Sequence, residues 1–108
     1  MYVNFEAGNK AYKLRLNTKN TVALEKSLGC NPLGIFDASG ETLPPVTTLV
    51  TVLHASLQQY QHGISLNDTY DIFDAYLEEH SVDEFIFIVL DIYRESGLIP
   101  KEAETEKN

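Results

Sequence analysis

The chain has 108 residues, 44 % of them hydrophobic, and a formal net charge of −8, which describes one acidic domain with enough apolar side chains for a modest core. Its longest apolar run, residues 85–90, is far too short to cross a bilayer, and its single cysteine, Cys30, excludes an intramolecular disulfide. The charge is uneven: residues 1–26 carry five basic and two acidic side chains, whereas residues 68–95 carry nine acidic ones against Arg94 alone, which opposes generic nucleic-acid binding and favours a basic partner or simple solubility.

Residues 2–16 predict a β-hairpin: Tyr2-Val3-Asn4-Phe5 alternates weakly, Ala7-Gly8-Asn9-Lys10 is turn chemistry, and Tyr12, Leu14 and Leu16 alternate with Lys13 and Arg15. A lone two-stranded hairpin is marginal, so its apolar face must lie on helices or on another subunit. Residues 18–28 predict a first helix, with Thr18 as cap, Thr21, Val22, Leu24 and Leu28 as the apolar side, and Gly29 as the left-handed stop. Asn31-Pro32 starts a short helical turn over residues 32–37, and a polar loop follows over 38–43. Cys30 reads as a small filler residue, because a reactive thiol needs an electropositive, partly open site.

Pro44-Pro45 opens a helix running to about residue 60, with Val46, Leu49, Val50, Leu53, Leu57 and Tyr60 as its buried stripe and Thr47, Thr51, His54 and Gln58 opposite. Gln61-His62-Gly63 ends it. Ser65, with Asp68 three residues on, begins the next helix, whose stripe is Leu66, Tyr70, Phe73 and Leu77. Asp71, Asp74 and Glu78 fall on its outer side. Ser81 and Glu84 form a capping box for the last helix, which Gly97 stops before Pro100.

That last helix is apolar nearly all round: Phe85, Ile86, Phe87, Ile88, Val89, Leu90, Ile92 and Tyr93 leave only Glu84, Asp91, Arg94 and Glu95 as a polar edge, with Phe87 inside that edge. Such a helix belongs either at the centre of a bundle or at a subunit interface. The six tyrosines must keep their hydroxyls wet or paired, which places many of them at the core edge or in an interface. The expectation is a mainly α fold, a small bundle of four to five helices with an N-terminal β-hairpin. It forms one domain over residues 1–100, followed by a charged, disordered tail over 101–108.

Little here predicts chemistry. Asp71, Asp74 and Glu78 are oxygen donors suited to a divalent cation, but they sit on one helix without an EF-hand loop and read as a solvated acidic face. His54, His62 and His80 lack metal-ligand spacing, and no phosphate-cradling glycine loop or nucleophile–base pair is present. The expectation is therefore a protein that is not an enzyme and needs no metal or cofactor. Lys10, Lys13, Arg15 and Lys19 read either as a solvent-facing strand side or as a basic edge that meets the acidic helix face of a neighbouring copy.

Three stretches carry a family resemblance: Tyr12-Lys13-Leu14-Arg15-Leu16, the run Leu24-Glu25-Lys26-Ser27-Leu28-Gly29-Cys30-Asn31-Pro32-Leu33, and His54-Ala55-Ser56-Leu57-Gln58. Over residues 10–99 the chain resembles the tail assembly chaperone-like proteins of long-tailed phages of Gram-positive bacteria and of gene transfer agents. The resemblance implies a small, mainly helical protein that coats the aggregation-prone tape measure protein during tail assembly and is absent from the finished tail. It implies the tape measure protein as partner, with the tail tube protein as a second candidate; the apolar last helix adds self-association, and the acidic charge and short apolar runs add an expectation of no nucleic acid and no membrane. It also implies the cytoplasm of a bacterial host, which the lone cysteine and the lack of a signal peptide favour independently. The alternatives are a structural tail or head–tail connector component that stays in the particle, or a bacterial regulatory protein with a basic partner. The candidate interface residues are Phe87, Tyr93, Asp71, Asp74 and Glu78.

Overall fold

Turn chemistry fixes the start of the chain. In the computed structural model, which describes residues 1–36, 39 and 42–101, strands β1 (Val3–Ala7) and β2 (Lys10–Leu14) pair antiparallel with Phe5 opposite Tyr12. The two-residue loop Gly8-Asn9 puts the positive φ, 60°, on glycine, as a tight hairpin turn demands. An added Cβ at Gly8 would meet the Cβ of Ala75 at 3.3 Å, so this turn also lies close against a helix.

Four α-helices follow among the described residues: α1 (Thr18–Leu28), α2 (Val46–Leu57), α3 (Leu66–Leu77) and α4 (Val82–Glu95), with a 3-10 turn over Pro32–Ile35. The fold is thus mainly α with an N-terminal hairpin. The cap of α1 is Asn17 rather than Thr18: the Asn17 side chain accepts from the Asn20 N–H at 2.8 Å, and Thr18 is the first helical residue. Gly29 (φ 75°) and Gly97 (φ 81°) take the left-handed conformation, Asn31 caps the 3-10 turn, and both capping boxes form. The loop expected over residues 38–43 lies partly, and the tail beyond Lys101 wholly, outside the described residues.

The centre of the molecule is α2, not α4. It packs against α1, α3, α4 and β2, and Leu49, Val50, Val52, Leu53, Ala55, Ser56 and Leu57 are all buried. Ser56 is tolerated there because its hydroxyl donates to the Val52 carbonyl at 2.7 Å. The hairpin lies on this frame through its core-facing side chains. Phe5 sits among Tyr76 and Phe85, with ring centroids at 5.1 and 5.9 Å, and Phe73 meets Phe85 edge-on at 5.1 Å. Such edge-to-face pairs add about 0.5–1.5 kcal/mol each beyond the area they bury.

The outer edge of β2 is paired by side chains and helix ends rather than by a third strand. Gln61 accepts from the Lys13 N–H at 2.7 Å and donates to the Lys13 carbonyl at 2.9 Å. Next along the strand, Arg15 N–H donates to the Ser56 carbonyl at 3.0 Å, and Leu16 N–H donates to Ser96 Oγ at 2.9 Å. One glutamine therefore supplies both the donor and the acceptor that a neighbouring strand would have offered.

The buried face of α3 is rotated from the expected one. In α3 the buried residues are Thr69, Ile72, Phe73 and Tyr76, while Leu66 and Tyr70 face out. In α2 the body of the expected stripe, Leu49, Val50, Leu53 and Leu57, is buried; its end residues Val46 and Tyr60 are exposed, and the helix stops at Leu57 rather than near residue 60, which leaves Tyr60 beyond it.

Candidate functional site

Three surface features could engage a partner, and each joins apolar groups to charge. The first is a groove of about 350 Å³ between α2 and α3, lined by Val46, Thr47, Val50, Tyr70, Phe73 and Asp74. Val46 is 49 % exposed and Tyr70 45 %, large values for side chains of this size. On α3, Thr69 turns inward with its hydroxyl donating to the Ser65 carbonyl at 2.9 Å, while Tyr70 stays outside and lines the groove. Asp71, Asp74 and Glu78 are exposed on the outer part of α3, as the sequence predicts, and no basic side chain pairs with them among the described residues.

The second feature is the outward stripe of α4. Phe85, Val89, Ile92 and Tyr93 are buried, and Asp83, Glu84, Phe87 and Asp91 face solvent, with Phe87 68 % exposed. Phe87 is thus a lone phenyl ring among carboxylates. Its neighbour in the expectation, Tyr93, does not reach the surface of the chain: it is fully buried and donates its hydroxyl to the Pro32 carbonyl at 2.9 Å, tying α4 to the 3-10 turn. Burial pushes the Tyr93 phenol well above its ordinary range. Tyr76 is pushed up to about 12, first by burial and then by the nearby Glu84 charge. Glu84 itself is held below the usual carboxylate range, chiefly because the Ser81 N–H donates to it at 2.7 Å, and His80 at 3.6 Å assists. Asp91 pairs with Arg94 at 3.1 Å.

The third feature is the outer face of the hairpin, which sequence reasoning did not assemble. Tyr2 and Tyr60 meet edge-on with centroids 5.4 Å apart, and the Lys13 ammonium lies 5.0 Å from one ring centre and 6.0 Å from the other. Both tyrosines are exposed, at 37 % and 41 %. Arg15 continues the face beyond Lys13 and donates from its guanidinium to Gln59 at 3.3 Å. Among the described residues none of Lys10, Lys13, Arg15 or Lys19 pairs with a carboxylate. The surplus of tyrosine was the available signal; which residue meets which depends on bringing position 2 to position 60.

The remaining chemical candidates disperse. Cys30 is exposed beside the α1 stop rather than packed as filler. His54 approaches the Ile64 carbonyl at 3.1 Å, a contact that fixes the link from α2 to α3. Among the described residues no three His, Cys, Asp or Glu side chains converge in a way that could hold a metal ion, and no helix is long and apolar enough to cross a membrane.

Residues 3–108 match a family of unknown function, DUF6096, and the chain belongs to it. No curated protein matches the chain, and no solved structure does.

Proposed function

We propose that this DUF6096 protein is a non-enzymatic phage or prophage tail assembly chaperone that binds the tape measure protein while the tail is built, in the cytoplasm of the bacterial host. The observation that carries the reading is the α2–α3 groove: exposed apolar Val46 and Tyr70 with Asp74 in its lining, a carboxylate that no basic side chain pairs among the described residues. An apolar groove with an acidic rim suits one face of an amphipathic helix carrying lysine or arginine. A groove of this kind shields apolar side chains of a long helical client without any bond-making step, which is what a chaperone of an aggregation-prone protein has to do. The resemblance in the hairpin, α1 and α2 stretches supports the same assignment.

The test is co-expression with the tape measure protein of the same phage or prophage. The expected result is a soluble complex that Val46→Glu with Tyr70→Glu weakens at least ~tenfold, since truncated or charged anchors dominate interface losses. A tape measure protein that stays equally insoluble with and without the chain overturns the reading. Recovery of the chain as a stoichiometric part of finished tails would favour a structural component instead.

A further inference from the structure

We propose that the open edge of β1 receives an extended segment of a partner protein, which joins the hairpin as a third, antiparallel strand and sets a lysine or arginine opposite Glu6. The register identifies the free backbone groups: Asn4 stands opposite Lys13, and Glu6 opposite Ala11. Gln61 binds both the N–H and the carbonyl of Lys13, so both of those groups point away from β1. In an antiparallel ladder Asn4 and Lys13 are therefore a pair that exchanges no bonds, and the N–H and carbonyl of Asn4 point to the far edge. Glu6, two residues on, repeats the arrangement. Asn4 and Glu6 are both exposed, and neither has a hydrogen-bond partner outside the hairpin among the described residues. At Lys13 the Gln61 side chain stands where a neighbouring strand would lie; along β1 no described residue does so.

The geometry selects the occupant. The outward N–H and carbonyl groups of Asn4 recur at Glu6 about 7 Å along β1, the repeat of an extended chain. An antiparallel strand exchanges two hydrogen bonds with each of these residues. Its residue opposite Glu6 lies on the solvent face of the hairpin, beside a carboxylate with no basic partner among the described residues. Glu6 also lines a polar cleft of about 310 Å³ between the hairpin turn and the α3–α4 connection, together with Glu79, His80 and Lys10. Glu79 is likewise without a basic partner among the described residues, and Lys10 pairs with neither carboxylate. A cation opposite Glu6 is thus drawn to two carboxylates against one lysine. The alternate residues of the added strand continue the face on which Val3, Phe5 and Ala7 meet the helices, so apolar β-branched side chains suit them. The partner segment is an extended run in which a basic residue stands between two apolar ones. This edge is separate from the α2–α3 groove, and its use does not depend on the chaperone reading.

The probe is a fluorescein-labelled peptide with blocked ends, Thr-Val-Lys-Val-Thr, titrated with the full chain and followed by fluorescence anisotropy and by hydrogen exchange at single amides. Saturable binding is expected, with exchange at the Asn4 and Glu6 amides slowed at least ~tenfold. N-methyl groups on the lysine and the last threonine of the peptide remove the donors that face β1 and should weaken binding at least ~tenfold. Asn4→Pro deletes an outward N–H that the hairpin itself does not use, and it should cause a similar loss while circular dichroism shows an intact fold. Glu6→Lys should weaken binding at least ~threefold at low salt, and it replaces the proline variant if that one unfolds. Absence of saturable binding overturns the proposal and leaves Glu6 as a charge that keeps the edge single. A folded Asn4→Pro or Glu6→Lys chain that binds like wild type overturns it, as does an N-methylated peptide that binds like its parent. Protection of the Asn4 and Glu6 amides that grows with chain concentration without peptide would assign the edge to a second copy and overturn it too. Failure of co-expression with the tape measure protein would count against the chaperone role and leave this inference standing.

Discussion

Replacing Tyr93 by phenylalanine removes one oxygen from the interior and nothing else. The ring keeps its place against Phe36, 6.3 Å away edge-on, but the Pro32 carbonyl loses its 2.9 Å donor. A buried carbonyl left without a partner forfeits about 1–3 kcal/mol, and no water can enter easily at a site where the side chain is fully buried. We expect a loss near ~1.5 kcal/mol at pH 7, which for a domain of this length lowers Tm by roughly 6–12 °C. The same substitution has a signature in alkali. The native Tyr93 phenol is raised by burial, so above the unfolded value of about 10 the unfolded chain releases its proton while the native chain keeps it. Wild-type stability from this residue is therefore fully present below about pH 10 and is lost as pH climbs, amounting to about 1.4 kcal/mol by pH 11. Tyr93→Phe has no such proton to lose, so its deficit against wild type should shrink almost to nothing at pH 11. Urea unfolding at pH 7 and pH 11, followed by circular dichroism, measures both. A variant within ~0.5 kcal/mol of wild type at pH 7, or a gap unchanged at pH 11, refutes the assignment of Tyr93 to the core hydrogen bond.

Gln61→Ala should destabilise the domain by about 1–3 kcal/mol, because it strips both backbone partners from Lys13 at the edge of β2. Hydrogen exchange at the Lys13 amide should quicken more than at amides within α2, and an unchanged Lys13 amide would mean the edge is paired some other way. Glu84→Gln bears on acid stability. Glu84 is depressed by the Ser81 N–H, so its contribution is present above the unfolded value of about 4.3 and lost as pH falls through its lower native value. An acid titration followed by circular dichroism should show the variant less stable than wild type near neutrality, with the gap narrowing towards pH 2; parallel curves would contradict the capping role.

Local signals survived into the structure because the bonds behind them span four residues or fewer. Asn31, the Ser65–Asp68 and Ser81–Glu84 boxes, and the glycine stops at 29 and 97 depend only on neighbouring backbone, so sequence was enough to place those helix ends, though not the Asn17 cap of α1 or the end of α2 at Leu57. The hairpin was legible for the same reason, its turn glycine and alternation being local. Asp71, Asp74 and Glu78 were legible as an outer face because only solvent tolerates three unpaired carboxylates on one helix.

Rotation about a helix axis was decided by the partners. Thr69 entered the core because its hydroxyl could turn back to the Ser65 carbonyl, and Tyr76 entered because Phe5 and Phe85 offered it aromatic neighbours. Tyr70, with the same apparent claim, was left in water. In α4 the narrow polar edge of Glu84, Asp91 and Arg94 marked Phe87 as outward, but nothing local told a buried Tyr93 from an interfacial one, because its partner is the Pro32 carbonyl sixty-one residues away. Nor could the sequence bring Tyr2, Lys13 and Tyr60 together, since that face forms only when the hairpin lies along the end of α2 and Gln61 binds the Lys13 backbone. Periodicity determined which segments are helices; long-range packing, which satisfies polar groups and fills space at the same time, determined which of their faces remain free to meet a partner.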